Sequence, residues 1–369
     1  MAETREQSIR SPFHAAHAAM GATFMEEGGW FWTESFGDLD REYRGVRDDV
    51  GVWDVSPLNK WELRGRDAMR AAARLHTHNI AGMRAGQVHY GAFCDEAGLM
   101  VDDGTVFKFA DDHAWIMTNG REHEEHFAAV TQGLDVRIEF IGLDLPHLGL
   151  IGPRAREALA PHCSADIRML RYFQFIPEEV KVGGVPCWVS RTGFGGELGF
   201  ELFCRPAHAE SLWEVVLQKC RPEPFGVEAI EVLRVESGLI VLDYDYKAHE
   251  RTPYDFSLDR VVELRGRFNG RDALEPLAAR PPRRFKTLVL NGEALPEYGA
   301  AVTSSDGEPA GVLTSPTRSP RYGNIGTAVL ESRFAVDGTE LRVAAEDGQL
   351  GAKVAVLPIY DPEKKRPRA

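Results

Sequence analysis

The chain has 369 residues, 43% hydrophobic and 27% charged, with a formal net charge of -13. That length and balance describe globular material in two or three packed modules, and they exclude a chain dominated by disorder. The acidic surplus argues against a nucleic-acid surface, which selects basic patches, and the absence of a leader-like start or of an apolar run of roughly 18 residues predicts a cytoplasmic protein with no membrane partner.

The first 60 residues mix turn signals with aromatics (Trp30, Phe31, Trp32, Phe36, Tyr43), and the pattern predicts a helix over 38–46 and a strand over 52–55. A strand over 60–64 and an Ala- and Arg-rich helix over 67–75 follow. Strands are expected over 88–93, 99–109 and 114–118, separated by turns at Asp95 to Gly98 and at Asp111-Asp112, and then a helix over 122–130. A second cycle has strands from Val136 and over 148–151, a helix over 154–159, and strands over 179–182 and 185–190. A glycine-rich turn then runs into a strand over 193–203, with helices over 207–219 and 227–239. Prolines and charges at 278–284 predict a linker, and the short strands with glycine turns beyond it have the rhythm of a small β-barrel or sandwich.

Five scattered cysteines, none in a C-x-x-C pair, suggest buried free thiols rather than disulfides or a zinc site. His123 and His126 lack the H-E-x-x-H spacing that places two imidazoles on one metal, so no metal site is expected and both are assigned to a solvated helix face. His14 and His17 are assigned to the surface in the same way.

Two segments could carry chemistry. Asp102-Asp103-Gly104 interrupts a strand, and alternation sends the two carboxylates to opposite faces, so one can point inward to orient or accept a proton while the other meets solvent. The alternative is a hairpin or bulge, which Gly104 favours. In Arg191-Thr192-Gly193-Phe194-Gly195-Gly196-Glu197-Leu198-Gly199-Phe200-Glu201, four glycines allow close backbone approach to a flat ligand, and a buried Glu201 could pair with adjacent N–H donors of a pterin-like ring. Its alternative is a tight turn with an exposed glutamate.

The order of segments resembles the T-protein (aminomethyltransferase) family along nearly the whole chain. The resemblance rests on Arg47 through Gly51-Val52-Trp53-Asp54-Val55-Ser56, Gly98-Leu99-Met100-Val101-Asp102-Asp103, Ile151-Gly152-Pro153-Arg154, Arg191 through Glu201, Leu233-Arg234-Val235-Glu236-Ser237-Gly238, Thr252-Pro253-Tyr254-Asp255 and the late Gly311-Val312-Leu313-Thr314-Ser315. It implies an α+β, three-lobed fold, with two mixed α/β lobes around a central folate pocket (1–280) and a C-terminal β-barrel (281–369). It also implies tetrahydrofolate as cofactor, Asp103 as the catalytic aspartate, and Tyr90, Asn119, Phe194 and Glu201 as folate-site residues, with Glu201 on the pterin.

Departures from the family pattern are equally informative. Pro57 stands where His is usual, Ile230 where Arg is usual, Arg260 where an aromatic is usual, and Glu346-Asp347 near an expected cation. They resemble the divergent branch of folate-dependent demethylases, so the expected reaction is methyl transfer from a small methylated donor (methoxy-aromatic, sulfonium or methylated amine) to tetrahydrofolate. His89 or Tyr244 are candidates to protonate a departing oxygen. The alternatives are aminomethyl transfer from a lipoylated carrier protein and a non-catalytic folate-binding module. The latter is disfavoured because its K-G-C-Y-x-G-Q-E segment is absent.

Overall fold

The computed structural model describes residues 8–369; residues 1–7, part of the start expected to hold no leader, lie outside the described residues. A small sheet opens the fold, with strand Trp30–Ser35 between Ile9–Arg10 and Thr23–Glu27. Helix Leu39–Asp48 follows, its first turn capped by the Asp38 carboxylate, which accepts from the Arg41 N–H at 3.0 Å.

Two larger sheets form the body. The first is antiparallel, in the order Val88–Cys94, Met100–Ala110, His113–Thr118, Asn59–Arg64, Arg137–Phe140. Helix Ala68–Leu75 buries Ala68, Ala71, Ala72 and Leu75, the spacing of one helical face, and with Phe127 of helix Glu124–Val130 it covers Trp61, Leu63, Val106 and Ile116. The second sheet has the order Val180–Val182, Val185–Ser190, Gly199–Phe203, His147–Ile151, Gly51–Asp54, Glu223–Pro224. Helices Ala155–Leu159 and Ala209–Val215 cover its outer face over Leu148, Leu150, Val189, Phe200 and Leu202.

The uncovered faces of the two sheets meet. Phe107 and Phe203 lie 5.8 Å apart edge to face, and Trp115 and Trp188 lie 5.4 Å apart. Sheet alternation is therefore not an inside-outside alternation in this protein, because each sheet is buried on both faces.

Helix Val227–Glu236 stops three residues short of its expected end, since Gly238 adopts φ 62° and turns the chain away. It packs on helix Leu39–Asp48 and presents Glu236 to Arg47. The Arg47 guanidinium donates to Glu236 Oε2 at 2.8 and 3.0 Å, to Gly195 O at 2.6 Å and to Leu233 O at 3.0 Å, and it stacks on Tyr360 with Cζ 3.9 Å from the ring centroid. Four distant segments are tied by one buried cation.

The C-terminal strands close a six-stranded barrel in the order Arg283–Leu290, Gly323–Glu331, Pro309–Ser319, Ala301–Ser304, Glu340–Ala345, Gly348–Ala355. The region expected as a linker is instead packed. Pro281 is buried, the Pro282 carbonyl accepts from the Ser332 N–H at 3.0 Å, and the first barrel strand begins at Arg283. Prolines there serve a fixed entry to the barrel rather than a loose spacer. The cysteines are free, and four of the five are buried.

Candidate functional site

Asp102 and Asp103 sit within an unbroken stretch of the first sheet, with Asp102 opposite Phe93, Asp103 opposite Ala92 and Gly104 opposite Gly91. The register shift between these strands, at Phe93/Cys94, leaves Val101 as an extra residue, so a bulge immediately precedes the pair while Asp102 and Asp103 themselves stay in the ladder and form no hairpin. Gly104 is required for another reason. A Cβ there would stand 1.9 Å from the carbonyl oxygen of Met117 on the neighbouring strand.

The expectation that one carboxylate meets solvent fails. Both are buried, Asp102 fully, because a helix end covers one face of this sheet and the second sheet faces the other. Asp103 shares its face with Phe107, and Glu201 shares its face with Phe203, so the two sequence-derived carboxylates occupy the facing sides of the two sheets.

Tyr90 donates to Asp103 Oδ2 at 2.8 Å, Tyr246 donates to Oδ1, and the Asn119 amide donates to Oδ1 at 3.2 Å and to the Asp103 carbonyl at 3.0 Å. Tyr90 and Asn119, which the sequence assigned to the lining of a folate site, thus both bond Asp103. Tyr246 was not singled out in the sequence. The nearby Tyr244 was, but its hydroxyl turns to Glu27 at 3.1 Å. His89 likewise points away from Asp103, meeting His78 edge to face with ring centroids 4.2 Å apart on the opposite face of the strand from Tyr90. Neither original candidate for a proton donor reaches the carboxylate.

Burial, with the like charge of Asp102 second, pushes Asp103 up to about 7 against the lowering effect of its two tyrosine donors. A carboxyl whose folded value lies above its unfolded value near 3.9 stabilises the fold while protonated. That contribution is present below about pH 4 and lost as pH rises through about 7. Asp103→Asn should therefore flatten the loss of stability between pH 5 and pH 8, read as urea midpoints; an unchanged loss would remove Asp103 as its source.

Glu201 lies on the strand next to His147 and Ser190. Thr192 donates to Glu201 Oε2, while Oε1 stands 3.9 Å from His147 Nε2 and receives no hydrogen bond from the described residues. Burial raises the Glu201 carboxyl above its usual range, with Thr192 and Lys60 opposing. Lys60, fully buried and donating to the Ser56 carbonyl at 2.8 Å, is brought down to about 7 by that burial. Lys60 and the buried, unpartnered Nδ1 of His147 were not legible as parts of this site. Their positions follow from strands distant in sequence. Phe194 packs beside Trp32, Trp53, Ile230 and Leu233, next to the glutamate's strand rather than against Asp103.

His123 and His17 overturn their surface assignment. His123 Nε2 lies 2.7 Å from Asp102 Oδ2, and His17 bonds Thr33 at 2.7 Å and packs at a tilt against Trp213 with ring centroids 4.4 Å apart. Among the described residues, no three His, Cys, Asp or Glu side chains converge as a metal site, and no helix is long and apolar enough to cross a membrane. Two shallow surface grooves, about 760 and 500 Å³, flank helix Leu39–Asp48 and touch none of these residues.

Comparison with known proteins places this geometry. The GCVT N-terminal domain model matches residues 13–266, and the glycine cleavage T-protein C-terminal barrel domain model matches residues 283–361. An aminomethyltransferase of Anoxybacillus flavithermus is 32% identical over 360 residues, covering 95% of this chain and 98% of its own length. One of Herpetosiphon aurantiacus is 30% identical over 363 residues, covering 97% and 99%. The crystal structure of glycine cleavage system aminomethyltransferase T from Bartonella henselae shares the fold, with a TM-score of 0.87 over 96% of this chain and 98% of that one at 23% identity.

Proposed function

The chain belongs to the glycine cleavage T-protein family of tetrahydrofolate-dependent transferases, and from that premise we propose that it transfers a methyl group from a small methylated donor to tetrahydrofolate in the cytoplasm, using residues 1–280 to hold the reactants and 281–369 to cap them. The observation that carries the methyl reading is the wall beside Phe194. Ile230, only 4% exposed, packs there with Trp53 and Phe225, where the family resemblance leads one to expect an arginine. An apolar wall suits a small methylated donor better than the anionic or extended group an arginine would hold.

The donor set fits a reduced folate. Glu201 offers an oxygen without a protein donor in a partly buried position, beside a His147 ring whose Nδ1 has no partner, which suits a heterocycle with adjacent N–H groups. Tetrahydrofolate supplies a nucleophilic nitrogen that accepts the one-carbon unit. In this reading the bond from methyl carbon to the donor heteroatom breaks with its electron pair leaving on that atom, the new carbon–nitrogen bond forms, and the proton displaced from nitrogen passes to Asp103. With a value near 7, Asp103 can take that proton at neutral pH. Tyr90, Tyr246 and Asn119 hold its oxygens in place, and Phe194 lines the approach. Orientation of two reactants in one pocket is worth about 7 to 11 kcal/mol when the geometry is close to attack.

Glu201→Gln is expected to weaken tetrahydrofolate binding about 10- to 100-fold, the size of one or two hydrogen bonds to a charged group, with a smaller effect on kcat. Titration of intrinsic tryptophan fluorescence measures it, and unaltered affinity would remove Glu201 as the anchor.

The second reading, aminomethyl transfer from a lipoylated carrier, is favoured by the names of the relatives, which are aminomethyltransferases. Anaerobic incubation with tetrahydrofolate and a panel of sulfonium, methoxy-aromatic and methylated-amine donors separates the two. Methyltetrahydrofolate by mass supports the first reading. No product from the panel, but methylenetetrahydrofolate from an aminomethylated lipoyl carrier, replaces it with the second.

A further inference from the structure

Two carboxylates buried side by side present a physical problem that tetrahydrofolate chemistry does not itself solve. Asp102 and Asp103 have no lysine or arginine within 4.0 Å among the described residues, and the one basic side chain paired to either is His123, 2.7 Å from Asp102 Oδ2. His123 caps helix Glu124–Val130, with its ring against Phe127 at 5.5 Å and only 6% of its surface exposed.

The partners of the two acids differ in kind. Asp102 accepts from fixed N–H groups: Gly120 N at 2.8 Å on Oδ2, and Asp103 N and Asn119 Nδ2 at 2.8 Å each on Oδ1. Such donors cannot accept, and the one hydroxyl that reaches Asp102, that of Tyr246, stands at 3.5 Å from Oδ1. Asp103 is held by the hydroxyls of Tyr90 and Tyr246, which can donate to a carboxylate or accept from a carboxylic acid. N–H donors therefore dominate on Asp102 and hydroxyls on Asp103.

We propose that His123 is the counter-charge of this pair: through its Nε2 contact with Asp102 it offsets one of two buried negative charges, so that Asp103 can stand ionised before it takes the proton of the reaction. This rests on the reading of Asp103 as the proton acceptor. His123 touches no reacting atom and is a positioning residue. The titratable and charged groups facing the assembly are Tyr90 from strand Val88–Cys94, Tyr246 and the more distant Asp245 from the segment after helix Val227–Glu236, and His126 one turn on from His123. His126 is itself pushed down to about 4 by burial and neighbouring histidines, which keeps a second cation away.

The test compares His123→Phe with His123→Gln, which keeps a hydrogen-bond donor and loses the charge. In both, the acid limb of kcat against pH should move up by about one unit, so that the rate at pH 7 falls about fivefold and recovers by pH 9, with KM for tetrahydrofolate within about twofold, the size expected for loss of one compensating charge. A uniform loss with an unmoved profile in both variants, or a wild-type profile restored by glutamine, overturns the proposal. A second readout needs no catalysis. The stability difference between each His123 background and its Asp103→Asn partner should persist to higher pH than in the wild type. If the wild-type protein yields no folate product, the proposed function fails while this stability comparison still decides the role of His123; unchanged midpoint differences overturn it.

Discussion

Replacing Asp103 by asparagine should lower kcat about 10²- to 10⁴-fold, the range in which a positioned general acid–base group contributes, while tetrahydrofolate affinity changes little. The reasoning lies in where the side chain stands. Its oxygens meet Tyr90, Tyr246 and Asn119 on one side of the first sheet, whereas the anchoring carboxylate Glu201 belongs to the other sheet with Thr192 and His147. Binding and proton transfer are thus carried by separate strands and should separate in the variants. Asn is close in size to Asp and keeps an oxygen for the tyrosine hydroxyls, so the fold should persist; Asp103→Ala should give the same loss of rate with a further stability cost of about 1 to 3 kcal/mol from unpaired buried donors. Steady-state rates and fluorescence titration measure the two quantities, and unchanged turnover would sink the assignment.

Arg47→Met should destabilise the protein by about 3 to 5 kcal/mol, the cost of stripping one partner from a buried ion pair. Arg47 and Glu236 are both fully buried, and the guanidinium also holds the carbonyls of Gly195 and Leu233 and the ring of Tyr360. Its loss leaves Glu236 with only the hydroxyls of Tyr43 and Ser319 and the Gly195 carbonyl with only that of Ser237, so the loop bearing Phe194 should loosen and tetrahydrofolate affinity should fall with stability. Urea unfolding tests this directly. A loss below about 1 kcal/mol would mean that the cation is no more important than one on the surface.

The sequence analysis reached the elements and the central acid because both leave local signals. Alternating apolar residues marked the strands around Asp103, and an acidic pair inside them was conspicuous. The family order then assigned Tyr90 and Asn119, which do bond Asp103. What it missed depends on contacts across long separations. His17 is buried by Trp213, and His123 by the strand that carries Asp102, and no periodicity within a short helix reports a partner that arrives from elsewhere. Tyr246 was missed for want of a phase: Tyr244 and Tyr246, two positions apart, turn to different partners, and the irregular backbone between helix Val227–Glu236 and the barrel gives no period to read. The acidic pair itself was misjudged because alternation tells which faces a strand presents, while the cover on each face comes from the second sheet and from helix Glu124–Val130.

Strand Met100–Ala110 is paired with Val88–Cys94 through Asp102 and Asp103 and on both edges from Gly104 onward, whereas residues 191–198 form a turn outside the ladders. Amide deuterium uptake should therefore divide the site into two classes. The backbone around Asp103 exchanges only when the sheet opens as a whole, while the glycine-rich turn exchanges through small local openings. For the history of such a protein this separation is permissive. Substitutions that recruit a new donor can accumulate in the turn and in Ile230 beside it, in parts that already breathe, without disturbing the acid whose chemistry every donor shares.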